Sequence, residues 1–243
     1  MYLPEDFVKT PPVEKGYWPS ITKQKLHLLG KNNEVFELMR RLSYLYHEAY
    51  LVAYTKAAEW PYLLEEPISS QTEIEELRVF TEGLDWPNIP PSAFAFTISS
   101  ANDAVCILDT RFGLIYWLDP PNFEDGPIKE PFSDKELLEI FTPESEHEWR
   151  NHPAWAIADF FEVLKNEFRL LRSVPIDESD VLRWNNDDIQ NEPGVLAYLV
   201  RRTYQMYGWP DLAVYEKETC QSAVKRLVES WQNEWTLACR VSA

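Results

Sequence analysis

The chain has 243 residues and a formal net charge of −17. Phosphate backbones and anionic membrane surfaces are recognised by clustered Lys and Arg, so neither nucleic acid nor a membrane is expected as a partner. Hydrophobic residues make up 45% of the chain, enough for a core, and 18 Pro against 7 Gly leave little material for glycine-rich phosphate cradles.

Residues 1–20 carry Pro4, Pro11, Pro12 and Pro19 and read as an extended arm, pinned by Phe7, Tyr17 and Trp18. The N-terminus has no basic start followed by an apolar core, so no signal peptide is expected. Asn33 reads as an N-cap with Glu34 and Glu37 in the first turn. A long helix is then predicted over residues 33–60, stopped by Pro61. One stripe is Val35, Leu38, Met39, Leu42, Leu45, Tyr46, Ala49, Val52 and Ala53; a second is Tyr44, His47, Leu51, Tyr54 and Ala58. A helix apolar on two faces is expected to be buried on both. Packing alone accounts for it, or else it is a pocket wall presenting Tyr46, His47, Tyr50 and Tyr54. Residues 71–82 read as a short helix with Gly83 past its end.

Residues 93–119 carry the strand signal. Phe94, Phe96 and Ile98 alternate with Ala95 and Thr97, a period of two. Residues 104–108 and 114–118 are apolar runs, and the connections between the three segments are too short for parallel crossovers, so an antiparallel meander is expected. Asp109 and Asp119 end strands and read as turn closers. Ser133 and Glu136 form a capping box. Residues 154–172 read as a helix with Pro153 in its first turn and with Ile157, Phe160, Phe161, Leu164, Phe168 and Leu171 covering the sheet. Residues 194–234 read as two C-terminal helices parted by Gly208-Trp209-Pro210, the second capped by Asp211. The fold class is therefore α+β: one domain over residues 1–243, an antiparallel meander flanked by helices, with a long N-terminal helix and a C-terminal helical extension.

The order of these elements resembles the SMI1/KNR4 (SUKH) superfamily. The resemblance covers about residues 93–169 and rests on Asp109, Gly113, Tyr116, Asp119, Phe160, Phe161 and Leu164. The tail YGWPDLAVYEKETC is similar to tails of filamentous-fungal proteins. The resemblance implies an antiparallel sheet flanked by helices and action by binding, as an immunity-type module or a scaffold.

Chemistry-bearing motifs are sparse. His47-Glu48 opens no HExxH, and His147 and His152 match no metal template, so neither metal nor cofactor is expected. Cys106, Cys220 and Cys239 read as free thiols in a reducing cytoplasm. Aromatics at 14% of the chain could line a pocket for a hydrophobic small molecule. Such a pocket accelerates cyclisation by orientation alone. On that reading the protein is a cofactor-independent cyclase or isomerase, of Diels–Alder type, in fungal specialised metabolism. His47 and Tyr50 would be donors, and Tyr46, Tyr54, Tyr116, Trp117 and Trp155 would bind substrate. The second reading is a non-catalytic SUKH-like module whose partner is a protein; a third, ranked last, is a metal-assisted hydrolase using His147 and His152. Whether the chain is an enzyme stays open at this level.

Overall fold

The computed structural model describes residues 5–46, 49–99, 104–120, 127–133, 135–137, 148–184 and 192–241. The fold is α+β, with helices around small antiparallel sheets. The chain divides into two compact units, Glu5–Val163 and a second that gathers Leu164–Ala243.

In the first unit, β1 (Val8–Lys9) is followed by α1 (Lys23–Leu28) and α2 (Asn33–Met39). The α2 cap is Asn32, one residue earlier than expected: its side chain accepts from Val35 N at 2.9 Å. The predicted helix over residues 33–60 forms only at its start, as α2, and does not continue past Met39. After α2 the chain turns into β2 (Tyr44–Leu45), β3 (Tyr50–Val52), β4 (Thr55–Lys56) and the single-turn α3 (Trp60–Leu63). The reason lies in residue type. Tyr44, Tyr50, Val52, Tyr54 and Thr55 are aromatic or β-branched and favour strands. The two apolar stripes that a helix would need to bury separately are met instead by short paired strands. β2 pairs with β1, and β3 pairs with β4. The N-terminal arm is held as expected: Phe7 packs on Tyr46, the Arg40 guanidinium lies 3.9 Å from the Tyr17 ring centre, and Trp18 Nε1 donates to Leu42 O at 2.8 Å.

Next comes α4 (Gln71–Glu82), capped by Ser70 and ended by Gly83 at φ +69°. The meander follows as expected, with β5 (Ala93–Ala95), β6 (Val105–Asp109) and β7 (Leu114–Leu118). A fourth strand, β8 (Ala154–Ala156), joins its edge, so the order is β5-β6-β7-β8, all antiparallel. Residues 154–156 were expected to be helical. They are drawn into extended pairing because β7 offers them an open edge, and Trp117 N donates to Pro153 O at 3.0 Å. The covering helix, α5, is therefore Ile157–Arg169. The Ser133–Glu136 capping box is present, with Ser133 N donating to Glu136 Oε2 at 2.8 Å and Glu136 N to Ser133 Oγ at 3.4 Å.

Every residue of β6 and β7 is buried, which explains unbroken apolar runs where a half-exposed strand would alternate. One face presents Val105, Ile107, Leu114, Tyr116 and Leu118, packed with Ile89, Trp149 and Ala154. The other presents Trp117, ringed by Trp155 and Phe160. Within α5, Phe160 and Leu164 point inward as the helical period requires, while Ile157 and Phe161 are exposed.

The second unit holds the hairpin β9 (Ser173–Pro175) and β10 (Val181–Arg183), then α6 (Glu192–Met206) and α7 (Lys217–Val241). Its core is Leu171, Val174, Trp184, Leu196, Val200, Tyr204, Cys220, Val224 and Val228. Asp211 does not cap α7. It lies in the turn before it and accepts from Ala213 N at 2.9 Å, while α7 starts six residues later.

Gly208 closes the end of α6 at φ +95°, and a Cβ there would sit 2.9 Å from Val214 O. Backbone cannot yield as a flexible side chain can. Gly208→Ala is expected to cost about 1–3 kcal/mol from the left-handed conformation alone, and more from the clash. Urea unfolding measures it; a loss below about 0.5 kcal/mol would show that residues 208–214 rearrange freely.

Candidate functional site

The predicted site residues fall into two groups, one buried in the core and one reaching the surface. Tyr116, Trp117 and Trp155 are core residues at 0%, 0% and 1% exposure. Neighbours along a strand point to opposite faces of its sheet, so Tyr116 and Trp117 cannot line one pocket. Trp117 lies 6.4 Å from Trp155 and 5.6 Å from Phe160, ring centre to ring centre, in edge-on contacts. Trp155 Nε1 donates to Lys129 O at 2.8 Å. These rings spend their faces on one another.

Tyr46, Tyr50 and Tyr54 belong to the β2–β4 segment and reach the surface. Tyr46 packs on Phe7 at 5.2 Å with the Lys9 ammonium 5.7 Å from its ring. Tyr50 holds the Lys56 ammonium at the same distance, across the β3–β4 pair. Tyr54 sits in the tight turn between these strands, 50% exposed, with its backbone at φ +61°. The turn is anchored to the sheet: Ala104 N donates to Tyr54 O at 2.6 Å, and Ile98 N donates to Lys56 O at 2.9 Å. His47, the other predicted donor, lies outside the described residues, as does His147.

On the Tyr116 face is a buried polar group that no local pattern announces. The Arg150 guanidinium donates to Asp109 Oδ2 at 2.7 Å and to the Tyr116 hydroxyl at 3.3 Å. It stacks 4.2 Å from the Trp149 ring centre. Asp109 also accepts from Arg111 N at 3.0 Å and from Ser92 Oγ at 3.2 Å, closing the β6–β7 turn as expected. Burial pushes the Tyr116 phenol up to about 12, against a smaller downward pull from Arg150. The only hint of this cluster in the sequence is an arginine beside Trp149, after an acidic stretch.

The raised Tyr116 value has a definite sign. The folded state favours the neutral phenol, so this stabilisation is whole below pH 10, where the unfolded phenol is also neutral. It is lost as pH rises from 10 to about 12. Urea midpoints taken across that window should fall. Tyr116→Phe is expected to flatten part of the fall while lowering stability at neutral pH through the lost Arg150 contact. An unchanged alkaline slope would show that Tyr116 ionises as freely as in the unfolded chain.

Two further buried clusters among the described residues each hold one carboxylate between two cations. Lys31 bonds Glu82, which takes Arg78 at 2.9 Å, and burial holds the Lys31 ammonium below its ordinary range. Glu167 accepts from Arg172 at 3.1 Å and Arg183 at 2.6 Å. Among the described residues no three His, Cys, Asp or Glu side chains stand where they could hold a metal. His152 Nδ1 accepts a long bond, 3.4 Å, from Asp119 N. The Cys106 thiol is pushed up by burial. Chemically, the arrangement holds the sheet together and offers aromatic surface at one turn.

Fold and site together define an α+β protein with a sheet buried on both faces and an exposed tyrosine turn at its end. The chain matches no family model, no curated protein and no solved structure. Among the described residues, no helix is long and apolar enough to cross a membrane.

Proposed function

We propose that this chain is a non-catalytic protein-binding module of the SUKH-like scaffold or immunity type, and that the Tyr54 turn is one of its contacts. The observation that carries the reading is the conformation of Tyr54. A left-handed backbone costs a bulky residue about 1–2 kcal/mol that glycine avoids. Half of Tyr54 remains in solvent, so core burial does not offset that cost. Strained, exposed positions concentrate where function uses them, and tyrosine is enriched among the side chains that dominate binding energy. The residues behind the SUKH resemblance support the reading too: Asp109 and Gly113 close the β6–β7 turn, and Phe160 and Leu164 seat the following helix. Free, buried Cys106 and Cys220 suit a reducing cytoplasm.

The competing proposal is a cofactor-independent cyclase acting on a hydrophobic substrate. It draws less from the geometry, because three of its five substrate-binding residues are packed in the core.

Tyr54→Gly separates the two. Its stability is expected to equal or exceed that of the wild type by up to about 1 kcal/mol, through relief of the turn. Capture of a protein partner by the tagged chain is expected to weaken about tenfold or more. A variant that is more stable and captures equally well would overturn the reading. So would a thermal-shift screen in which an apolar small molecule stabilises the protein; a ligand at 100 times its Kd adds about 2.7 kcal/mol.

A further inference from the structure

The loop that follows β1 stands out into solvent. Six of the seven residues 10–16 are exposed, Val13 to 98%, so an enzyme can reach this stretch without opening the fold. Both ends are tied down: Tyr46 N donates to Phe7 O at 2.9 Å, and Trp18 N donates to Arg40 O at 2.8 Å. Between them the chain closes on itself. Lys15 N and Gly16 N both donate to Pro12 O, at 3.0 and 2.8 Å, with Gly16 at φ +66°. At the entry to this loop stands Thr10-Pro11-Pro12. A proline disfavours the helical backbone for the residue before it, so Pro11 holds Thr10 extended and Pro12 holds Pro11. Thr10 directly follows β1, which pairs on one side only, with β2. Thr10 is exposed, and no described residue bonds its side chain.

We propose that Thr10 is a phosphorylation site for a proline-directed Ser/Thr protein kinase that uses MgATP. Such a kinase takes its substrate as an extended segment around the acceptor hydroxyl. Its socket for the next residue is apolar, and any residue but proline would bring a backbone N–H there with nothing to accept it. Thr10-Pro11 meets both demands in the conformation it already has, so little binding energy is lost to ordering the chain. In the transfer, Thr10 Oγ bonds the γ-phosphorus of ATP while the bond from that phosphorus to the β–γ bridging oxygen breaks. ADP leaves, and the hydroxyl proton passes to the catalytic aspartate of the kinase. The product carries a new charge of about −1.5 to −2 beside Lys9. Because the Thr10 side chain bonds no described residue, the phosphate displaces no contact of the fold among them. The sequence has one other Ser/Thr-Pro step, Thr142-Pro143, which lies outside the described residues and serves as an internal comparison. The inference does not depend on the role given to Tyr54.

The test incubates the folded full chain with MgATP and a purified mitogen-activated protein kinase, then locates phosphate by mass spectrometry of peptides. Phosphate is expected on Thr10. Pro11→Ala is expected to lower the initial rate at Thr10 about tenfold or more, while Thr10→Ser stays phosphorylated at that position. The native chain, isolated from its own cells with phosphatases inhibited, is expected to carry phosphate on Thr10 as well. Four results overturn the proposal: no phosphate on Thr10 in vitro, phosphorylation confined to Thr142, an undiminished rate in Pro11→Ala, or a native chain unmodified at Thr10. Unaltered thermal unfolding of Pro11→Ala confirms that its fold is intact. If that variant unfolds, the wild type, Thr10→Ser and the native chain decide the matter without it.

Discussion

Trp117→Ala is expected to lower the free energy of unfolding by about 3–5 kcal/mol. The ring is fully buried between Trp155 and Phe160, and its strand neighbours on both sides leave no route for it to turn outward. Truncation removes its transfer free energy and leaves a cavity walled by rigid aromatics, which collapse poorly onto empty space. Such a loss is a large part of the stability of an ordinary domain. Urea unfolding, followed by circular dichroism so that the lost tryptophan does not distort the signal, measures it. A variant that unfolds normally but no longer binds a hydrophobic compound would place Trp117 on a pocket wall. It would also restore the cyclase proposal.

Arg150→Met is expected to cost a comparable amount, about 3–5 kcal/mol. The substitution keeps much of the volume but strands the Asp109 carboxylate at 0% exposure, where Ser92 and the Arg111 N–H remain its donors. A buried ion pair is weak evidence of net stabilisation, because two charges have left water to form it. Half of such a pair is much worse than none. The double variant Asp109→Asn/Arg150→Met is therefore expected to regain part of the loss, with a coupling of about 1–3 kcal/mol in the cycle. Equilibrium unfolding of the three variants decides it. A cost below about 1 kcal/mol for Arg150→Met would mean that water reaches Asp109.

How much of this was legible in the sequence depends on the range of the interaction involved. The meander at residues 93–118 was readable because a strand buried on both faces needs a continuous apolar run, and short polar connections leave antiparallel pairing as the one option. The inward positions Phe160 and Leu164 of α5 follow from helical spacing. Gly83 and Gly208 were readable as helix ends because each must take positive φ.

The misreadings share a cause. Apolar residues at three- and four-residue intervals satisfy a helix, but over residues 44–56 they also satisfy short strands. That choice is made by partners far along the chain: Val8 and Lys9 for β2, and the Phe96–Ile98 segment for the β3–β4 hairpin. Ala154–Ala156 becomes a strand because β7 presents an edge, which no local pattern encodes.

The site divides the same way. Aromatic abundance was plain in the sequence, and so was the lack of any metal or nucleophile motif. Which rings fill the core and which face solvent was decided by the sheet: alternation sends Tyr116 and Trp117 to opposite faces, each to its own partners. The Asp109–Arg150 pair joins residues 41 positions apart, and the strain at Tyr54 exists only once β3 and β4 have paired around it. The sequence by itself determined the α+β class, the meander and the glycine-marked helix ends at Gly83 and Gly208, since these depend on neighbours within a few residues. Tertiary structure alone decided register, burial of charge and exposure of the tyrosine turn, because each depends on which distant segment arrives to complete the hydrogen bonds.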